Sequence, residues 1–489
     1  MTSYGFKRIL ASVTAILMAC LLIMPVFAST VPYLSYTYDF WGREVPTPAA
    51  YVAVKSIGGR DIDPDLGPFR APEDLAVDAD GNIYLLDTGN NRIVVFDRNL
   101  TLIRVIDSFM RDGRQEGFNN PNGIFVTDNF EIYIADTNNG RVIALHPDGS
   151  FMLEISEPQG EGIEENFVFM PLKVVVDRAG RIYVIARNVF EGIMSFDSNG
   201  HFFGYFGTIP VVYTPLDWIW RQLSTPAQRA QQRLFIPMEF SGMDIDERGF
   251  VYTVNLPTVS GHSGNAVRRL NPSGNDVLAN FTNLPIAGDL VAPGVFNLPP
   301  SAFIDIIERG HGIYSALDST RGRLFTYDSE GNLLYVVGGL GNVLGMVRQP
   351  TAVEVSGESI LILDRLRGEI VYFEETLYGS LINEAVRLRY MGDEAAAVER
   401  WRSVLVLNEN YGLALRGIGR ALLAAGENRA AMDYLRRSMD VDYFGIAFRR
   451  YRNEILEDNF RLILTSVLVI ALALNGRKIY RKFRSAPQV

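Results

Sequence analysis

The chain has 489 residues, 48% hydrophobic and 21% charged, which is apolar enough for two or three packed domains and excludes wholesale disorder. Its net charge of −10 at pH 7 argues against the basic face that nucleic acid requires. The single cysteine, Cys20, lies inside an N-terminal apolar run, so the rest of the chain has neither a disulfide framework nor a catalytic thiolate.

In chain order, Lys7 and Arg8 precede an apolar stretch over 9–28 that closes on Val26-Phe27-Ala28. A basic start, an apolar centre and a small last residue predict a signal peptide over 1–28. An uncleaved anchor is the alternative, because the run is long enough to span a bilayer. Residues 29–50 are rich in aromatics and proline, among them Tyr33, Tyr36, Tyr38, Phe40, Trp41, Pro46 and Pro48. Such a segment more often packs on a neighbouring domain than stacks on a sugar.

Between residues 72 and 373 one pattern recurs six times: a short apolar run, Asp-x-x-Gly, Ile-Tyr, a polar turn, Arg and a second apolar run. The markers Tyr84, Tyr133, Tyr183, Tyr252, Tyr314 and Leu361 repeat about every fifty residues, with two longer gaps. Each copy predicts short strands, in the first copy at 75–78, 83–86, 93–96 and 102–106. A lone four-stranded sheet leaves edges and an unburied face; radial stacking removes both, which predicts a mainly β, six-bladed propeller over 51–375. The sixth copy lacks an outer strand, and residues 51–57 (Tyr-Val-Ala-Val-Lys-Ser-Ile) are predicted to supply it. A helical insertion is predicted over 207–237, with Ser224 or Thr225 as cap and Pro226 at its first position.

From Thr376 the period becomes helical. Gly392-Asp393 and Gly426-Glu427 stand 34 residues apart (426 − 392), and Leu381, Ala385 and Leu388 match Leu415, Gly419 and Leu422. Trp401 and Leu435 occupy the large apolar position of the second helices. This resembles the tetratricopeptide repeat over 376–457, with Glu409 and Tyr443 where its closing proline usually falls. Repeats of that kind bind proteins on a concave face. Residues 460–480 then predict one C-terminal transmembrane helix, and the basic tail 481–489 predicts a cytoplasmic C-terminus.

The string Asp87-Thr88-Gly89-Asn90-Asn91-Arg92-Ile93 closely resembles the hallmark of the NHL-repeat propellers, as does Asp136-Thr137-Asn138-Asn139-Gly140-Arg141-Val142. Asp318 and Arg323 keep the same offset. These residues are expected to be structural. Asp87, Asp136 and Asp318 would accept hydrogen bonds from the following turn. Asn91 and Gly140 suit positive φ, and Arg92, Arg141 and Arg323 would pair with the Asp or with a neighbouring blade. The resemblance implies six blades and a binding platform for protein, RNA or carbohydrate.

A metal-dependent lactonase of the gluconolactonase type is the main enzymatic alternative. It would need oxygen ligands converging in the central channel, for which Glu73, Asn122 and Asp244 are candidates; Lys173, at an equivalent place, would oppose a cation. A propeller lyase would need a catalytic histidine, and His146, His201, His262 and His311 fall in predicted turns. No Ser-His-Asp spacing, HExxH, phosphate loop or zinc cluster is present, so no catalytic, cofactor or metal residue is assigned. Trp41, Trp218 and Trp220 are candidate contacts for a glycan or a partner. The expectation is a non-enzymatic scaffold, cofactor-free and membrane-anchored, with its bulk outside the cytoplasm. Its partners would be membrane or envelope proteins of a transport or polysaccharide-handling kind, with carbohydrate as a further ligand and no nucleic acid.

Overall fold

The computed structural model describes residues 31–160, 163, 167–208, 239–256, 264–290 and 299–484. The expected signal peptide, nearly all of the 207–237 insertion with Trp218 and Trp220, His262, and the last residues of the basic tail lie outside these residues.

Asp-x-x-Gly turns recur between strands, and they close because the Asp carboxylate accepts two backbone N–H groups: Asp78 Oδ1 from Asp80 (3.0 Å) and Asn82 (2.8 Å), and Asp328 Oδ1 from Glu330 and Asn332 (both 2.9 Å). The glycine takes the left-handed conformation the turn demands, with φ +84° at both Gly81 and Gly331. The apolar runs on either side then pair as antiparallel strands.

Six such sheets stand around an axis. Blade 1 is Asp74–Val77, Ile83–Asp87, Arg92–Phe96 and Leu102–Ile106. Blade 2 is Gly123–Val126, Ile132–Asp136, Arg141–Leu145 and Phe151–Ser156. Blade 3 is Pro171–Val176, Ile182–Ala186, Ile193–Phe196 and Phe202–Phe206. Among the described residues blade 4 has three strands, Phe240–Ile245, Val251–Asn255 and Val267–Leu270; its outer position is held by an irregular segment bridged at Leu270 and Asp276. Blade 5 is Phe303–Glu308, Tyr314–Asp318, Arg323–Tyr327 and Leu333–Gly338. Blade 6 is Pro350–Ser356, Ser359–Asp364 and Glu369–Glu375, and its fourth strand is Tyr51–Ile57. That strand runs antiparallel to its neighbour with Ile57 opposite Ile370 and Tyr51 opposite Glu375, so the start of the propeller fastens its end. The second strand of blades 1 to 5 is buried at every residue, as a strand sandwiched between two neighbouring blades must be.

Helices follow. Thr376 caps α1 (Leu377–Tyr390), Asp393 caps α2 (Glu394–Leu407), and α3 (Gly412–Ala424) and α4 (Asn428–Arg437) form a second hairpin. The matched glycines close the hairpins with positive φ, +86° at Gly392 and +84° at Gly426. Gly417 sits against Trp401 and Gly419 against Leu435, where any side chain would collide. Asp440 caps α5 (Val441–Asp458), which leads into α6 (Phe460–Arg484). Residues Phe460–Arg481 of α6 are long and apolar enough to cross a membrane, with mean hydropathy 1.7 and none of the span buried.

Helices α1 and α3 pack against the propeller. Tyr378, Ile382, Ala385 and Val386 of α1, with Tyr411, Ala414 and Ile418 at α3, share one hydrophobic cluster with Ile307, Ile313, Leu334, Tyr335 and Val337 of blade 5. Tyr411 donates to the carbonyl of Leu334 (2.9 Å), and Tyr335 to Asn383 (2.9 Å). The N-terminal segment joins the same corner. Its hairpin, Tyr36–Tyr38 with Glu44–Pro46, lies along blade 5 through Ser35 and Thr37, which donate to the carbonyls of Val336 (3.1 Å) and Leu333 (2.9 Å). Propeller, hairpin and helices therefore form one packed unit.

Candidate functional site: central channel and junction groove

In blades 1, 2 and 5 the hallmark residues build the turn that follows the second strand. Asp87 is wholly buried and accepts from Arg70 N (2.7 Å), Asn90 Nδ2 (2.7 Å) and Arg92 Nε (2.8 Å). Asp136 does the same with Asn119 N, Asn139 and Arg141. The backbone donor thus comes from the loop before the blade, seventeen residues upstream, and not from the turn that follows. The following turn supplies only side-chain donors here, because its own N–H groups close a short 3-10 turn ending in Asn91 (φ +52°) or Gly140 (φ +64°). Asp318 bonds both ways, to Ala302 N and Thr320 N. Arg323 leaves Asp318 and pairs with Asp289 (2.5 Å) and Tyr36 (3.0 Å), because the N-terminal hairpin brings a tyrosine to its side. Thr88 and Thr137 donate to Pro121 O (2.7 Å) and Pro171 O (2.6 Å), tying each blade to the next.

In the channel, strand register sets Asp74, Gly123, Lys173, Gly242, Asp305 and Ala352 at equivalent positions of the six innermost strands. Odd blades carry charge and even blades carry Gly or Ala. The small residues leave room for Lys173 of blade 3 to reach across the axis to Asp74 of blade 1 (2.6 Å) and Asp305 of blade 5 (3.2 Å). Each aspartate also accepts the N–H of the next blade, Ile124 (2.9 Å) and Val353 (3.0 Å). Burial pulls the Lys173 ammonium down, but Asp305 and Asp74 more than reverse it, so it stays charged well above neutrality. Burial pushes the Asp305 carboxyl up to about 6 against the pull of Lys173.

One layer along, Asp244 and Glu354 occupy equivalent places two residues further on. Burial pushes Asp244 up to about 7, opposed by the N–H groups of Glu308 (2.7 Å) and Ile245 (2.8 Å). Burial, and then the Asp244 charge, raises Glu354 well above its usual range. Each of these two carboxyls thus holds its proton more tightly than an exposed acid does.

Glu73, Asn122 and Asp244 do not converge. Glu73 pairs with Arg365 (2.8 Å), Asn122 donates to Asn120 O (2.8 Å) and Thr137 Oγ1 (3.0 Å), and Asp244 faces backbone N–H groups a layer away. No group of three or more His, Cys, Asp or Glu placed to hold a metal occurs among the described residues. Asp74, Gly123 and Lys173 fall at equivalent places of the sequence repeat, whereas no local motif marks Asp305 or Glu354. His146, His201 and His311 are exposed. Trp41 is exposed, with the Arg43 guanidinium over its ring (4.8 Å) and Phe40 edge-on to it.

A second concavity, about 630 Å³, opens where the hairpin, the 281–285 loop, blade 5 and the α3 and α4–α5 corners meet. Phe40, Phe281, Leu413 and Met439 line its walls, and Arg416 and Arg420 lie side by side one turn apart in α3. Arg416 donates to Asn332 Oδ1 (3.0 Å), both arginines share Asp440 at 3.4 and 3.8 Å, and Glu330 lies 3.4 Å from Arg420. Elsewhere Arg92 and Arg323 hold their carboxylates at 2.8 and 2.5 Å. Burial pulls the Arg416 guanidinium down, with Arg420 adding to the effect. Arg420 covers the Tyr443 ring (4.2 Å) and Tyr327 stacks on Tyr314, whereas Phe281 stands 74% exposed on the wall.

The six sheets around one axis define the fold as a six-bladed β-propeller. The NHL repeat family model matches residues 69–96, the end of the loop into blade 1 and its first three strands. No curated protein matches the sequence. Among solved structures the chain is similar to virginiamycin B lyase from Staphylococcus aureus, at 12% identity over 66% of this chain and 99% of that one (TM-score 0.40). It is also similar to a protein provisionally described as a gluconolactonase, at 14% identity over 68% and 94% (TM-score 0.38). A third likeness is to the extracellular domain of a one component system from B. thetaiotaomicron, at 10% identity over 72% and 41% (TM-score 0.34). Likenesses this distant carry no argument about activity.

Proposed function

We propose that this protein is a non-enzymatic, membrane-anchored platform held outside the cytoplasm, and that it docks membrane or envelope proteins in the groove between propeller and helices. The observation that carries this reading is the adjacent pair Arg416 and Arg420, sharing the single carboxylate of Asp440, in a cleft with apolar walls. Such a cleft suits a protein segment that brings a carboxylate flanked by apolar side chains. Phe281 leaves an aromatic face on which a sugar could stack, but a neutral sugar brings no charge to meet Arg416 and Arg420. The channel is a poorer docking site, since Lys173 and its two aspartates satisfy one another across the axis.

The test is cross-linking in intact membranes followed by purification of the full-length chain, comparing wild type with a Phe281→Glu/Leu413→Glu variant. Both positions line the groove. Defined partners captured by the wild type and lost in the variant support the reading; the same partners on both, or none on either, sink it. The lactonase alternative draws on Glu73, Asn122 and Asp244. Chelator-sensitive lactone hydrolysis that disappears in Asp244→Asn would favour it instead.

A further inference from the structure

Helix α5 is a stalk with an uncovered seam. Its first half rests on the second helical hairpin through Tyr443, Phe444 and Ala447. Ala447 is the only fully buried residue in the helix. Val441, Phe448 and Ile455, spaced by seven, stand 68%, 49% and 43% exposed. Phe444 and Tyr451, three residues after the first two, flank them half-buried.

The backbone barely breaks where α5 meets α6: Asn459 N donates to Ile455 O (3.1 Å), and Ile463 N to Asn459 O (2.9 Å). The seven-residue line then continues through Leu462 and Val469, 67% and 57% exposed, so five successive positions are apolar from the stalk into the span. The companion line is Phe444, Tyr451, Asp458, Thr465 and Leu472. Its one charged member, Asp458, lies at the border of the apolar span, with Arg461 one turn on. A strict seven-residue repeat drifts around a straight helix, and it stays on one face only when the helix supercoils about another.

We propose that this seam pairs two copies of the chain, parallel and related by a two-fold axis, through α5 and into α6. A helix covering the seam must lie beside it from water into the bilayer, and a second copy inserted in the same membrane with the same topology does so in parallel with an identical apolar line. Each Val441, Phe448 and Ile455 then meets its own mate, which excludes water from side chains the monomer leaves bare. The propellers are carried in pairs, with their grooves related by the stalk's two-fold axis.

The experiment is cysteine cross-linking of the full-length protein in its membrane. Cys20→Ser removes the native thiol, and single cysteines replace Phe448 or Ile455 on the seam and Arg449 or Asn453 off it. Under mild oxidation, seam positions should give disulfide-linked dimer at least five-fold more efficiently than off-seam ones. Flat yields around the helix, or no dimer at any seam position, overturn the pairing. A tryptophan at 448 strongly quenched by brominated lipid also overturns it, since lipid would then be the cover. The proposal rests on α6 entering the bilayer, which alkaline extraction of the same membranes checks separately. A chain that stays with the membrane pellet yet gives no seam cross-links sinks the pairing alone.

Discussion

At the scale of single residues, the repeat hallmark proves to be a set of buried charges committed to the fold. Asp87 holds three donors with no exposure to solvent, so Asp87→Ala strands the Arg92 guanidinium and the Arg70 N–H together. Removing one partner of a buried pair costs about 3–5 kcal/mol. The expected outcome is a loss of that size in denaturant unfolding of the detergent-solubilised chain. Arg323→Ala should instead loosen the N-terminal hairpin, because its partners are Asp289 and Tyr36, and protease cleavage near residue 39 should accelerate. The channel acids make stability depend on pH. Asp244 is raised to about 7 from 3.8, so it binds its proton more tightly folded than unfolded. Its contribution is fully present below pH about 4 and lost as pH rises through about 7. Asp244→Asn should therefore raise stability at pH 8, on the order of 1 kcal/mol after solvent screening, and flatten the thermal midpoint between pH 5 and 8.

At the scale of elements, the closing strand is the joint where three parts meet. Tyr51 is fully buried, and its hydroxyl contacts Arg309 of blade 5, Glu375 of blade 6 and Asn383 of α1. Tyr51→Ala opens a cavity and should cost about 3–5 kcal/mol. Tyr51→Phe keeps the ring but leaves Arg309 short of a partner and should cost about 1–3 kcal/mol. Hydrogen exchange would locate both effects: amides of Glu369–Glu375 and of α1 should lose protection together while blades 1 to 3 keep theirs. The order and type of these elements were legible because each repeat states its own turn chemistry. The 51–57 strand could be placed in blade 6 from its likeness to the outer strand of blade 5. The shift of Arg323 to Asp289 was not legible, since those residues lie 34 apart and only the hairpin at Tyr36–Tyr38 brings them into one network.

For the whole molecule, the consequence is that propeller and helices stand or fall together. A chain ending at Thr376 would lay bare Tyr335, Ile313 and Leu334 on blade 5. It is expected to aggregate or to bind a hydrophobic dye strongly, and a truncated chain that stays monodisperse and unfolds cooperatively would contradict the shared core. The same packing turns the inner face of the helices toward blade 5, so what remains open is the corner groove and the seam of the stalk.

Periodicity by itself determined the six blades, the strap that closes them, the helical tail and the apolar span. These follow from patterns of neighbouring residues: Asp and Gly where a turn must bend, alternation where a strand has two faces, and an uncharged run where water is absent. Only the tertiary structure decided which side chains cross the axis and which faces are left uncovered. Lys173 meets Asp74 and Asp305 from 99 and 132 residues away along the chain (173 − 74 and 305 − 173), and no local pattern encodes a distance that depends on how six sheets close. The direction in which the helices turn was likewise set by the apolar area of blade 5 that they cover.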